Sequence, residues 1–159
     1  METLYSEIVV AGCGNPLFAD DGFGPAVVEK LKDLKLPENV TVVDAGLGGP
    51  HFVFTLLNPE STKTLIIVDI ADFGGEPGEL RWLSVDELPV GSYRDAHSWD
   101  LTEPLRYIKD DIRIRVLACQ KKYVSAPEMV IGITDEVKRS IPDAVSEILK
   151  EIGVNYGTA

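Results

Sequence analysis

Two adjacent acids, Asp20 and Asp21, close the glycine-rich turn Gly12-Cys13-Gly14-Asn15-Pro16-Leu17-Phe18-Ala19-Asp20-Asp21-Gly22-Phe23-Gly24, which leads from an apolar strand signal into a helical pattern. The exposed N–H groups at a helix start suit an anion, so carboxylates placed there ask for a different partner, a cation. Two further residues offer matching chemistry. Asp69 ends the apolar run Thr64-Leu65-Ile66-Ile67-Val68, and His97 lies in the aperiodic stretch from Gly91 to Asp100. Two carboxylates and an imidazole make a mixed oxygen and nitrogen set with affinity for divalent first-row metals, and they leave coordination positions open for water or substrate atoms. Each residue also has a plainer role open to it. Asp21 could be an N-cap worth about 1 kcal/mol, Asp69 an acceptor for loop N–H groups, and His97 a loop histidine. Because Asp20 already supplies a cap, Asp21 is the acid that asks for another explanation.

Competing chemistries fit the same turn less well. A dinucleotide fingerprint needs a third glycine where Leu17 stands, and paired aspartates oppose a pyrophosphate. Asp44, ending a second strand signal, could still imitate a ribose-binding acid, which leaves a non-catalytic metal- or nucleotide-binding module as the alternative to an enzyme. Cys13 lies at a helix mouth, which lowers a thiol's pKa, but the nearby aspartates raise it again and disfavour a cysteine peptidase. Ser98 adjoins His97 in sequence, an adjacency that cannot make a triad. The chain has no Gly-x-Ser-x-Gly elbow and no His-Glu-x-x-His helix. His51, after Gly49-Pro50, reads as structural or substrate-facing, and Trp82 and Trp99 as core or crevice-wall aromatics.

These side chains need a scaffold, and β and α signals alternate along the sequence. Ile8-Val9-Val10-Ala11, Val40-Thr41-Val42-Val43-Asp44 and Thr64 to Asp69 are β-branched runs of the kind buried on both faces in parallel strands. Between the first two, Phe23, Val27, Leu31 and Leu34 recur at helical spacing, with Asp20 or Asp21 able to cap and Pro25 in the first turn. A short helix is expected around Phe52 and Leu56, ended by Asn58-Pro59, and another with Leu101, Leu105 and Ile108 on one face. Leu80-Arg81-Trp82 alternates as a half-exposed strand does, and Ile112-Arg113-Ile114-Arg115-Val116 as a strand with one polar face. Thr134 caps a short turn, and Ser140 caps a helix whose Val145, Ile148 and Ile152 face inward before Gly153 stops it. The expected architecture is α/β: a single three-layer domain over residues 1–159, its twisted, mostly parallel sheet flanked by helices on both faces. Such sheets bind ligands at the carboxyl ends of their strands, where Asp21, Asp69 and His97 can converge.

Composition narrows the function classes. A chain of 159 residues with 45% apolar content can bury roughly 70% of its unfolded surface without a staple. Lys and Arg number 15 against 26 Asp and Glu, a formal charge of -11 that disfavours nucleic acid and anionic membrane surfaces as partners. The segment from Met1 to Glu7 lacks the basic region and apolar core of a signal peptide, and no apolar run approaches a membrane span, so a cytoplasmic location is expected. Cys13 and Cys119 stand in no metal-knuckle spacing and indicate no disulfide framework.

The stretch Gly12-x-Gly14-Asn15-Pro16-Leu17-x-x-Asp20-Asp21-Gly22-x-Gly24 resembles the N-terminal signature of the nickel–iron hydrogenase maturation proteases, Gly-x-Gly-Asn-x-Leu-x-x-Asp-Asp/Glu-Gly-x-Gly. These endopeptidases trim the C-terminal extension of a hydrogenase large subunit. Asp44-Ala45-Gly46-Leu47-Gly48-Gly49 is similar to the family's Asp-Gly-Gly-Thr-x-Gly turn, with Leu47 in place of the usual Thr. Leu65 to Asp69 is similar to its apolar strand ending in Asp, and Ala96-His97-Ser98-x-x-Leu101 to its histidine segment. Cys119-Gln120 stands where a Gln-Pro pair often follows the last strand. The resemblance spans nearly the whole chain and is clearest through residue 101. It implies that Asp21, Asp69 and His97 are both the metal-contacting and the catalytic residues of an aspartic-type endopeptidase. It further implies that the metal is nickel, carried by the hydrogenase large-subunit precursor, and that the chain meets this partner as a monomer. The metal would polarise the scissile carbonyl or a water, while Asp21 or Asp69 helps deliver water as a base. The overall character of the motif suggests a coenzyme F420-reducing hydrogenase as the one served, with residues 119 to 133 expected to carry that choice.

Overall fold

In the computed structural model, which describes residues 7–46, 61–84 and 112–153, the apolar runs pair as strands. They are β1 (Ile8–Gly12), β2 (Val40–Asp44), β3 (Thr64–Ala71), β4 (Leu80–Leu83) and β5 (Arg113–Gln120), in the sheet order β2-β1-β3-β5-β4. β1, β2, β3 and β5 run parallel, and β4 lies antiparallel to β5 at one edge. The pleat sorts the apolar side chains into two dry faces. Val9, Ala11, Leu65, Ile67 and Val116 share one buried cluster, and Val10, Ile66, Val68 and Leu117 another. On the second face lie helices α1 (Phe23–Lys32) and α3 (Ile141–Glu151), anchored by Phe23, Val27, Leu31, Ile141, Ala144 and Ile148; a single short helix, α2 (Asp135–Lys138), precedes α3. This is the expected α/β architecture of one mostly parallel sheet with helices. The helices expected around Phe52 and Leu56 and around Leu101 to Ile108 fall outside the described residues. No helix among the described residues is long and apolar enough to cross a membrane.

Element ends depart from the sequence pattern where tertiary packing overrides it. β3 continues two residues past Asp69, because Asp69, Ile70 and Ala71 pair with Ala118, Cys119 and Gln120 of β5. β5 itself alternates only at its start. From Val116 to Gln120 every residue is buried, as a strand between two neighbours requires, so the half-polar reading holds only for its first residues. Leu34 lies beyond the end of α1 and is exposed rather than core.

None of the expected side-chain caps forms. α1 is preceded by a 3-10 turn over Ala19–Gly22, and its N-cap is Gly22; neither Asp20 nor Asp21 caps it, although Pro25 does sit in its first turn. Thr134 and Ser140 do stand at the N-caps of α2 and α3, but their hydroxyls are drawn elsewhere. Thr134 Oγ1 donates to Asp20 Oδ1 at 2.8 Å, and Ser140 Oγ donates to the Gly78 carbonyl. Thr134 thus makes a charge-assisted bond to a buried carboxylate, and Ser140 bonds a backbone carbonyl of the turn before β4.

Two glycines of the turn are explained by close approach. A Cβ on Gly12 would stand 2.5 Å from the Gly24 carbonyl oxygen, and one on Gly24 would stand 2.3 Å from the Cys13 oxygen and 2.4 Å from the Val68 oxygen. The first turn of α1 therefore rests directly on the carboxyl ends of β1 and β3. Since the chain passes from β2 on one side of β1 to β3 on the other, those ends flank the point where strand order reverses, the place where open α/β sheets bind their ligands.

Candidate active site

Residues 13–22 shape this crevice. Gly14 adopts φ +127°, and a Cβ there would stand 2.0 Å from the Asp21 carbonyl oxygen and 3.3 Å from Asp69 Oδ1. Only glycine fits that conformation and that gap. It also places the two expected site acids in one neighbourhood. Asn15 then folds the loop around Asp21: its N–H donates to Asp21 Oδ2 at 2.9 Å, while its Oδ1 accepts the Leu17 N–H at 2.9 Å in an Asx turn. Asp69 Oδ1 accepts the Ile70 N–H at 2.8 Å. Both acids are only 6% exposed, a position that carboxylates tolerate only with donors aimed at them.

Cys13 reports the field of this crevice. Burial pushes its thiol well above the ordinary 9.0, and Asp69, Asp44 and Asp21 push it further in the same direction. Three carboxylates thus act on one buried sulfur. Cys119, buried within β5, is pushed up to about 12, chiefly by burial. A neutral thiol is a poor nucleophile, so the cysteine-peptidase reading is disfavoured on the same ground as in the sequence. Native chain treated with iodoacetamide at neutral pH is expected to remain unalkylated by intact mass, and rapid modification of Cys13 would contradict this electrostatic picture.

The structure sets the Asp21 backbone carbonyl and the Asp69 carboxylate against the same glycine, Gly14; His97, the third expected site residue, lies with His51 and Trp99 outside the described residues. Among the described residues no group of three His, Cys, Asp or Glu could hold a metal ion. Asp44 is exposed at the end of β2, where its Oδ1 accepts the Gly46 N–H at 2.9 Å. An acidic crevice of this kind repels a pyrophosphate and attracts a cation.

Asp20 has a role that its neighbour concealed in the sequence. It is fully buried, and its Oδ2 accepts the N–H groups of Lys122 at 2.9 Å and Tyr123 at 2.8 Å. Its Oδ1 accepts the Thr134 N–H and hydroxyl, both at 2.8 Å. Successive residues of a 3-10 turn point in different directions, so one acid can serve the crevice while the next secures a distant loop. Gln120, at the end of β5, does comparable work on the loop after β3: its Oε1 accepts the N–H groups of Phe73 at 2.9 Å and Gly75 at 3.1 Å. Neither role has a local sequence signal, because their partners lie tens of residues away.

Comparison with known proteins agrees with this fold. A family model described as hydrogenase maturation protease (HycI) matches residues 25–151. The coenzyme F420 hydrogenase subunit delta of Methanothermobacter thermautotrophicus is 48% identical over 154 residues, covering 94% of this chain and 97% of its own. Among solved structures, the hydrogenase maturating endopeptidase HybD from E. coli aligns with a TM-score of 0.75 at 25% identity, over 92% of this chain and 94% of its own. The hydrogenase 2 maturation peptidase of a Thaumarchaeota archaeon aligns with a TM-score of 0.67 at 26% identity, over 94% of this chain and 100% of its own.

Proposed function

The chain belongs to the hydrogenase maturation protease family, and from that premise we propose that it removes the C-terminal extension from a nickel-loaded large-subunit precursor of a coenzyme F420-reducing hydrogenase. Peptidase action on a hydrogenase large-subunit precursor follows from the family. The choice of hydrogenase is supported by the relative named coenzyme F420 hydrogenase subunit delta. Nickel recognition by Asp21, Asp69 and His97 is supported by one observation above the rest: the nearly buried Asp21 and Asp69 both border Gly14 at the reversal point of the sheet, where their charges add to the burial that raises the Cys13 thiol.

In this reading the nickel is part of the substrate. Asp21, Asp69 and His97 contact it and so position the extension over the crevice. Asp21 or Asp69 takes a proton from the attacking water as its oxygen adds to the scissile carbonyl, and the proton passes to the leaving amine as the C–N bond breaks. The chain acts as a monomer in the cytoplasm. Incubation with nickel-loaded and metal-free precursor tests the proposal by mass spectrometry. Loss of a short C-terminal peptide from the loaded sample alone is the expected result, and intact precursor in both samples overturns it.

A further inference from the structure

Five of the six large apolar side chains that stand exposed among the described residues lie on two joined segments: Leu17 on one, and Tyr123, Met129, Val130 and Ile131 on the other. Single exposed apolar residues are ordinary, but a contiguous group of them marks a binding surface. Ile131 is 80% and Met129 71% exposed, while the sheet faces beneath are dry, so neither side chain serves the core.

The two segments are tied together by backbone bonds. The Val130 N–H donates to the Leu17 carbonyl at 2.8 Å, the Ala19 N–H to the Val130 carbonyl at 2.7 Å, and the Asp20 N–H to the Tyr123 carbonyl at 3.1 Å. The Asp20 carboxylate adds its bonds to Lys122, Tyr123 and Thr134. The loop is therefore fixed with its apolar side chains turned outward. Its position also matters. It leaves the carboxyl end of β5, the rim of the parallel strands from which Gly14, Asp21 and Asp69 arise, and Leu17 lies four residues before Asp21 on the same turn.

We propose that Leu17, Met129, Val130 and Ile131 form the docking surface for the hydrogenase large-subunit precursor and so set which precursor is accepted; this rests on the processing role proposed above. The occupant follows from continuity. The patch and the acids are parts of one bonded unit, so a polypeptide that reaches Asp21 lies beside Leu17 and Val130. Flexible Met129 suits an adaptable apolar contact, the kind found at the centre of protein interfaces. A second copy of this chain fits less well, because two bodies of charge -11 repel each other.

The test uses the full chain with the double substitution Met129→Ser and Ile131→Ser. Both side chains face solvent, and the melting temperature is expected to stay within about 2 °C of the unsubstituted chain. KM for the nickel-loaded precursor is expected to rise about tenfold or more, with kcat changed less than about threefold, as loss of uniform binding requires. If the unsubstituted chain cleaves and the variant keeps its KM, the docking surface is overturned and the processing role stands. The docking surface is likewise overturned if the unsubstituted chain sediments as a dimer that the variant abolishes while KM is unchanged. If the unsubstituted chain fails to cleave, the processing role falls, and retention of the same precursor on immobilised chains decides the docking surface. Weaker retention by the variant supports it, and equal or no retention overturns it.

Discussion

Asp69→Asn is expected to leave the chain folded and to lower precursor cleavage about 10²-fold or more, the magnitude associated with removing a general base. Asp21→Asn is expected to behave alike. The amide is nearly the same size as the carboxylate and keeps an oxygen for the N–H groups of Asn15 and Ile70 that the two acids accept, so folding is spared. What disappears is negative charge in a crevice where little water screens it. Single-turnover cleavage measured beside thermal melts separates the two effects. Cleavage retained in both variants at an unchanged melting temperature would remove these acids from the chemistry.

The second large effect concerns the other aspartate. Asp20→Ala is expected to destabilise the chain by about 3–5 kcal/mol, because it strands several buried donors at once. Against a typical domain stability of about 5–15 kcal/mol that is a large fraction. Asp20→Asn is expected to rescue little of it. Both oxygens of Asp20 accept from N–H or O–H groups, so either orientation of the amide turns its own N–H groups toward donors. Urea denaturation checks both variants. A loss below about 1 kcal/mol in Asp20→Ala would show that the loop at 121–134 is held by something other than this carboxylate.

Neighbours in sequence, Asp20 and Asp21 turn to different partners, Asp20 to the loop at 121–134 and Asp21 to Asn15 in the glycine turn, and they show where sequence reading works. Buried parallel strands announce themselves as unbroken β-branched runs, so β1, β2 and β3 were legible in Ile8 to Ala11, Val40 to Asp44 and Thr64 to Asp69. Helix periodicity likewise located α1 and α3. That Asp21 and Asp69 border one glycine, Gly14, was legible in outline, because residues toward the carboxyl ends of parallel strands share one rim. The caps were misread, since a hydroxyl or carboxylate beside a helix start can find a better partner across the fold, as Thr134 finds Asp20. The end of β5 was missed for a similar reason: whether Leu117 to Gln120 continue a strand is decided by pairing with β3 and β4, which no local pattern encodes.

The contact of Gly12 with Gly24 has a mechanical consequence. With no side chain between them, the start of α1 and the ends of β1 and β3 touch backbone to backbone, and no compressible layer lies between them to let the helix slide. The floor under Asp21 is therefore stiff, as interiors packed like crystals are. Any hinge that opens for an arriving precursor must lie elsewhere in the molecule, and a methyl group at either glycine would wedge the helix off the sheet and shift the 3-10 turn before it, where Asp21 sits.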